Sequence, residues 1–343
     1  MKPARLFFLF LLVAVSSAYS QTGKYKCLAD SLADRIKTEQ PDTTKAVHLN
    51  QLCWELIYIK PDTALLLANQ ALELSTEIAN SHQATKNDAL KLKAKKLISR
   101  SYSSLGVCYW LKSEYGHALL NLFKSLEIRN ELNDKKGIAS SCSNIGAVYF
   151  NIKDYTKALE YFEKALKIDE ELRDTTQYAI CLLNVGATYS EIGKHEEALK
   201  CYNKILNSNN AGIGGLIPIT LGNVGGVYEA EGDTAMANGD SKYAFNNRYP
   251  KAVEYYFKAL EALGESKETK MKASWYGEIG GIYLKEKKYK LSEEYLLRAF
   301  GFSSEVGEKS LEMAHTKELS EIYATTQRFQ LAYKYHVDRK SVV

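Results

Sequence analysis

Six histidines, six cysteines and several acidic pairs are the residues of this 343-residue chain that could hold a metal, attack a carbonyl or move a proton. The histidines stand at 48, 82, 117, 195, 315 and 336, and none shares a helical face with acidic partners at ligand spacing. The cysteines at 27, 53, 108, 142, 181 and 201 form no C-x-x-C pair, so neither a zinc ribbon nor a thioredoxin-type redox motif is written here. Gly212-Ile213-Gly214-Gly215 is glycine-rich, but no Gly-Lys-Ser/Thr follows and no strand precedes it, which argues against a phosphate loop. It reads better as the end of one helix before Pro218 starts the next. Glu196-Glu197 and Glu293-Glu294 suit exposed helix faces, as salt-bridge partners for nearby lysines. The expectation is that the chain is not an enzyme and has no catalytic residue, no metal and no cofactor.

What recurs instead is a set of packing residues. Gly106, Gly146, Gly186, Gly225, Gly280 and, as serine, Ser320 follow one another at intervals of 40, 40, 39, 55 and 40. Three residues after each comes Tyr109, Tyr149, Tyr189, Tyr228, Tyr283 or Tyr323. Nine after come Tyr115, Tyr155, His195, Tyr249 (past an insertion), Tyr289 and Phe329; twelve after come Ala118, Ala158, Ala198, Ala252, Ser292 and Ala332. A residue without a side chain lets a partner helix come close, the tyrosine one turn later fills the space above, and the alanine of the second helix meets the first. Turn pairs such as Lys153-Asp154 and Gly193-Lys194 separate the two helices. A fixed period of this kind predicts stacked helix–turn–helix units, each burying its apolar face against its neighbours. Two intervals are stretched. About fourteen residues are added around Ser81 to Lys96, read as a basic, solvated helix extension through Lys91, Lys93, Lys95 and Lys96; another insertion falls near Thr234 to Arg248, read as an edge loop or a ligand-contacting loop.

The set Gly146, Tyr149, Tyr155, Ala158, Phe162 and Ala165-Leu166 resembles the tetratricopeptide repeat, and the resemblance runs over roughly Ala46 to His336. It implies an all-α fold: a right-handed solenoid of about seven antiparallel helix pairs over residues 46–337, with forty-residue rather than thirty-four-residue repeats. In that family the slot two before the glycine faces a concave groove, which here would be lined by Ser104, Asn144, Asn184, Asn223, Glu278 and Glu318. Carboxamides offer donors and an acceptor to an extended peptide backbone; equally, each could bond a neighbouring helix and only stabilise the stack. The slots beside the turn aromatic add Trp110, Phe150, Asn151, Ser190, Glu191 and Glu229 as groove candidates. Trp110 and Phe150 would form an apolar end, and Glu229, Glu278, Glu318 and Glu321 an acidic one. The implied partner is a protein or peptide with an apolar and a basic segment.

Composition and termini set the context. With 45% hydrophobic and 25% charged residues the chain is that of an ordered protein. Lys2 and Arg5, the ten-residue apolar run Leu6 to Val15 and the small residues up to Ser20 predict a signal peptide over residues 1–20, since ten apolar residues fall short of the ~20 that span a bilayer. Its removal lowers the formal charge of +4 to +2, which does not call for nucleic acid or anionic lipid. Export would permit disulfides, but Cys108 fills the slot of Val148 and Cys201 that of Tyr161, as small buried hydrophobes do; packing, one bridge and a metal-binding or catalytic thiol are the three readings. Residues 21–45 should hold one leading helix, Gly23 to Glu39, before the first pair, Ala46 to Tyr58 and Thr63 to Ile78, with Asp62 or Thr63 as cap. The ending Asp338-Arg339-Lys340-Ser341-Val342-Val343 resembles a sequencing adapter read in frame, so a longer natural protein is expected, anchored in a membrane beyond this end. Exported arrays of this family often precede a histidine kinase. The expected role is therefore the cell-envelope, sensory part of a signalling protein; a free-standing periplasmic adaptor, or the front of an enzyme such as a kinase or cyclase, are the alternatives.

Overall fold

The computed structural model describes residues 22–341, apart from 82, 83, 85, 209, 266 and 267. The predicted signal peptide and the last two residues lie outside them. Among the described residues fifteen helices run in order: α1 Thr22–Thr38, α2 Thr43–Leu56, α3 Pro61–Asn80, α4 Asp88–Leu111, α5 Tyr115–Glu131, α6 Lys135–Asn151, α7 Tyr155–Leu172, α8 Thr175–Glu191, α9 His195–Leu206, α10 Ile217–Ala237, α11 Tyr249–Leu263, α12 Thr269–Lys285, α13 Tyr289–Val306, α14 Lys309–Thr325 and α15 Phe329–Ser341. Short helical turns, Ala211–Leu216 and Ser241–Arg248, lead into α10 and α11, and no strand occurs among the described residues. The chain forms two compact units that divide inside α8, between residues 188 and 189.

In the first unit each helix packs on the next, from α1 through α7. Within a pair, the glycine slot decides how close the helices come. A Cβ on Gly106 would lie 2.5 Å from Leu122 Cγ, and one on Gly146 2.7 Å from two ring carbons of Phe162, well inside van der Waals contact. Ala118 and Ala158 beside them are fully buried. The turn between the two helices of a pair repeats one geometry: Ser113 and Lys153 take the left-handed conformation, and the N–H of Glu114 and of Asp154 then donates to the carbonyl of Tyr109 and of Tyr149. Asp154, Asp134 and Asp174 accept from the backbone N–H three residues on, so one aspartate both closes the turn and starts the next helix. Beyond the turn, α7 buries Ala158, Phe162, Ala165 and Asp169, a helical stripe.

The second unit follows the same rules. Gly280 leaves no room for a Cβ beside Leu296, and Gly225 faces the Tyr256 ring and the Ala252 carbonyl. Gly193, Lys287 and Gln327 are the left-handed turn residues. Where the repeat's alanine or glycine has become serine, the hydroxyl bonds across the pair: Ser292 Oγ donates to the Gly280 carbonyl at 2.7 Å and Ser320 Oγ to the Ala332 carbonyl at 3.1 Å.

Some boundaries and roles differ from the sequence reading. Pro61 occupies the first turn of α3 rather than the turn before it, which its missing N–H and fixed φ allow, and Lys60 precedes it without a side-chain cap. Asp42 instead caps α2, accepting from the N–H of Thr44 and of Lys45. The residues added before Gly106 do extend a helix: α4 is 24 residues long, and Lys95 on it pairs with Glu131 of α5 at 3.0 Å. The second insertion is not a loop. It lengthens α10 to Ala237, turns at Gly239, and returns through a π-helical turn, Ala244–Arg248, that runs into α11. Glu293 is not a lysine partner either; its two oxygens take both terminal nitrogens of Arg328, at 2.9 and 2.6 Å.

One inter-pair contact repeats with changing chemistry. Arg129 donates to Ser141 Oγ at 2.7 Å, Cys181 Sγ donates to Asp169 Oδ2 at 3.3 Å, and Ser303 lies 3.4 Å from His315 Nδ1. Each links the end of a second helix to the following first helix, twelve residues apart, and all six residues are buried. A core slot thus holds polar groups only as partnered pairs.

Candidate functional site

The residues singled out in the sequence separate into those the stack consumes and those left facing outward. In the first unit Asn144 Nδ2 reaches Ser103 Oγ at 3.5 Å, across from α6 to α4, and remains half-buried. Asn184 is buried, 4% exposed. Asn151 donates to the Ala147 carbonyl one turn back at 2.9 Å, and Ser104 is fully buried. Phe150 is also buried, its ring edge-on to Tyr155 at 5.4 Å, so it packs the pair and is not open apolar surface. Trp110 is half-buried against the cluster of Cys53, Ile57, Ala64 and Leu105. Of the predicted apolar end, only Trp110 keeps part of its ring outside.

In the second unit Asn223 is half-buried and hydrogen-bonds Tyr202, whose ring is fully enclosed; burial pushes that phenol far up, and Asn223 opposes the shift. Ser190 is buried and Glu191 exposed. The acidic candidates come together across α10, α12 and α14. Glu229 is 5% exposed; its Oε1 takes Lys285 Nζ at 2.7 Å and its Oε2 the Tyr256 hydroxyl at 2.9 Å. Lys285 Nζ also reaches Asp233 Oδ1 at 2.8 Å, which accepts the Tyr249 hydroxyl at 2.7 Å. Glu318 leans on α12, where a side chain on Gly281 would meet its Oε1 at 3.6 Å. Burial, and then the Glu229 charge, push its carboxyl up to about 7, with Lys285 opposing. Glu278 is half-buried on α12 and Glu321 is exposed on α14.

Lys285, Asp233, Tyr249 and Tyr256 were missed from the sequence. Lys285 had a signal, since it fills the repeat slot of Asn151 and Glu191, two after the turn aromatic. One lysine stands here against the three carboxyls of Glu229, Asp233 and Glu318, so an added cation meets attraction in a partly water-excluded setting. Among the described residues, no three His, Cys, Asp or Glu side chains converge as metal ligands would.

Residues 137–211 match the tetratricopeptide repeat. No curated protein matches the chain in sequence. Among solved structures, the apo form of the quorum sensor NprR from B. thuringiensis is similar with a TM-score of 0.56 at 15% identity, over 97% of each chain. NprR in complex with its cognate peptide NprX gives 0.56 at 15% identity, over 96% of this chain and 87% of that one. Aspartyl phosphate phosphatase F from Bacillus subtilis gives 0.58 at 14% identity, over 88% of this chain and 71% of that one. At such identities the likeness concerns the fold. The chain is an all-α solenoid of tetratricopeptide-like helix pairs, its repeat matched in sequence over residues 137–211.

Proposed function

We propose that the chain is a protein-interaction scaffold that binds an extended polypeptide along the first helices of its pairs, placing a basic segment of the ligand against Glu229, Glu278 and Glu318. The observation that carries this reading is Glu318. A half-buried carboxyl held up to about 7 beside the Glu229 charge opposes folding, and a cationic side chain is what would relieve it. In the same unit the half-buried amide of Asn223 is a further group for that segment; in the first unit Asn144 and the exposed part of Trp110 offer a contact of their own, while Asn184 and Phe150, being enclosed, serve the stack. That a structure of similar fold is of NprR with its cognate peptide supports a peptide as the ligand class.

The wider context is part of the same proposal. The basic start and apolar run of residues 1–15 support export, residues 21–45 a leading helix and 46–337 the binding solenoid. The scaffold then serves as the cell-envelope, ligand-sensing part of a signalling protein, tethered at the membrane, rather than as a catalyst. The test is selection of a displayed random-peptide library on the full chain. Recovered peptides should pair lysine or arginine with apolar residues and lose binding as salt rises, since screening weakens charge contacts; recovery of acidic or charge-free peptides would overturn the reading.

A further inference from the structure

We propose that Cys53 and Cys108 form a reversible disulfide that fastens the first helix pair to the second. Cys53 lies on α2 and Cys108 on α4, both fully buried in one apolar cluster with Ile57, Ala64, Ala68 and Leu105. Sharing that cluster, the two sulfurs are neighbours, close enough for Cys108 to act on the Cys53 thiol. The helices that hold them are in register nearby: Asn50 of α2 and Ser101 of α4 bond each other through both side chains, at 3.0 and 3.2 Å. Among the described residues one other cysteine pair shares a core cluster, Cys142 and Cys181, but there the Cys181 sulfur is taken up by Ser143 and Asp169, and Cys201 is half-buried on α9.

The adjacent Cys108 side chain and burial both drive the Cys53 thiol far up, so Cys53 is a poor nucleophile while α2 is closed on α4. The oxidant therefore acts before α2 closes on α4, or when the two helices part in a local opening. With a small disulfide as oxidant, the Cys53 thiolate attacks one of its sulfurs and releases the first thiolate. The Cys108 thiolate then attacks the Cys53 sulfur and releases the second. The two protons lost by Cys53 and Cys108 end on the two released thiols, and the two electrons leave with them. Because α2 and α4 enclose α3, the bridge closes a long loop and holds the first pair as one body with the second.

The experiment unfolds the full chain, refolds it in oxidised and reduced glutathione, and alkylates free thiols in denaturant before proteolysis and mass spectrometry. The expected result is one cross-linked species joining the Cys53 and Cys108 peptides, two hydrogens lighter than the pair, absent after reduction. Hydrogen exchange in α2 should slow in the oxidised form. Cys53→Ala, which keeps a small apolar group in the core, should fold with unchanged helicity and leave Cys108 alkylated. Alkylation of both residues in the oxidised sample, or a bridge from either to another cysteine, would overturn the proposal.

Discussion

Replacing Gly146 with alanine should destabilise the chain, although alanine is the better helix former. The gain from propensity is about 1 kcal/mol. Against it, the new Cβ would stand 2.7 Å from Cδ1 and Cε1 of Phe162 and 3.1 Å from its Cγ. Comfortable carbon contacts begin near ~3.5 Å, so the ring must retreat by roughly 1 Å. Phe162 has no exposed surface, and overpacking of that kind costs about 1–3 kcal/mol. The net expectation is a loss of up to about 2 kcal/mol. Gly301 supplies the control: it lies within α13, and a Cβ there would meet nothing within 4 Å. Gly301→Ala should therefore stabilise by about 0.5–1 kcal/mol. Urea denaturation followed by circular dichroism reads both. The cycle adding Phe162→Ala should show coupling above about 1 kcal/mol, because the smaller residue removes the clash. If Gly146→Ala proved stabilising, as Gly301→Ala is expected to be, the close-approach role of the repeated glycine would be refuted.

Three further outcomes follow from the same structure. Lys153 holds φ of 63° in the turn of its pair, so Lys153→Gly should raise stability by about 0.5–1 kcal/mol, the relieved left-handed strain exceeding glycine's entropy; a lowered urea midpoint would contradict this. Asn223→Ala should leave the enclosed Tyr202 hydroxyl without that bond and cost about 1–3 kcal/mol, read by thermal melting, whereas a change in peptide affinity alone would assign Asn223 to the ligand. The third concerns pH and two residues of α14. Burial lowers His315 to about 4, so its neutral form contributes stability that is present above the unfolded value near ~6.5 and is lost as pH falls toward 4, up to about 3 kcal/mol. Glu318, raised to about 7, has the opposite sign: its contribution is present below the usual carboxyl range and is lost as pH rises through 7. His315→Gln should therefore flatten the acid side of the stability profile and Glu318→Gln the neutral side, each measured against the parent chain; parallel profiles for parent and variants would refute the assignment.

How far the sequence carried the structure depended on how local the cause was. Gly146, Tyr149, Lys153-Asp154 and Ala158 are read from spacing alone because the contacts they make lie within one helix pair, and the period repeats them. The insertion at 234–248 was harder: Asn238-Gly239-Asp240 and Asn246-Asn247 look like loop, yet Asp240 caps the next helical turn by accepting from Tyr243 N–H, and Arg248 pairs with Glu231 at 3.2 Å, so both arms stay helical. Phe150 was misplaced because a residue next to the turn aromatic can point toward its own pair, and Tyr155 takes its ring. The acidic cluster was half legible. Glu229, Glu278 and Glu318 follow from repeat slots, but Lys285 joins them from 52 and 56 residues away from Asp233 and Glu229, and no local pattern encodes that distance.

The most direct test of the scaffold reading is calorimetric titration of one basic peptide, recovered by selection, into the parent chain and into the Glu278→Gln/Glu318→Gln variant. The account predicts at least about tenfold weaker binding by the variant, one charge-assisted contact being worth about 1.5–3 kcal/mol, with its melting temperature kept or raised. Equal affinity for the two proteins would contradict it.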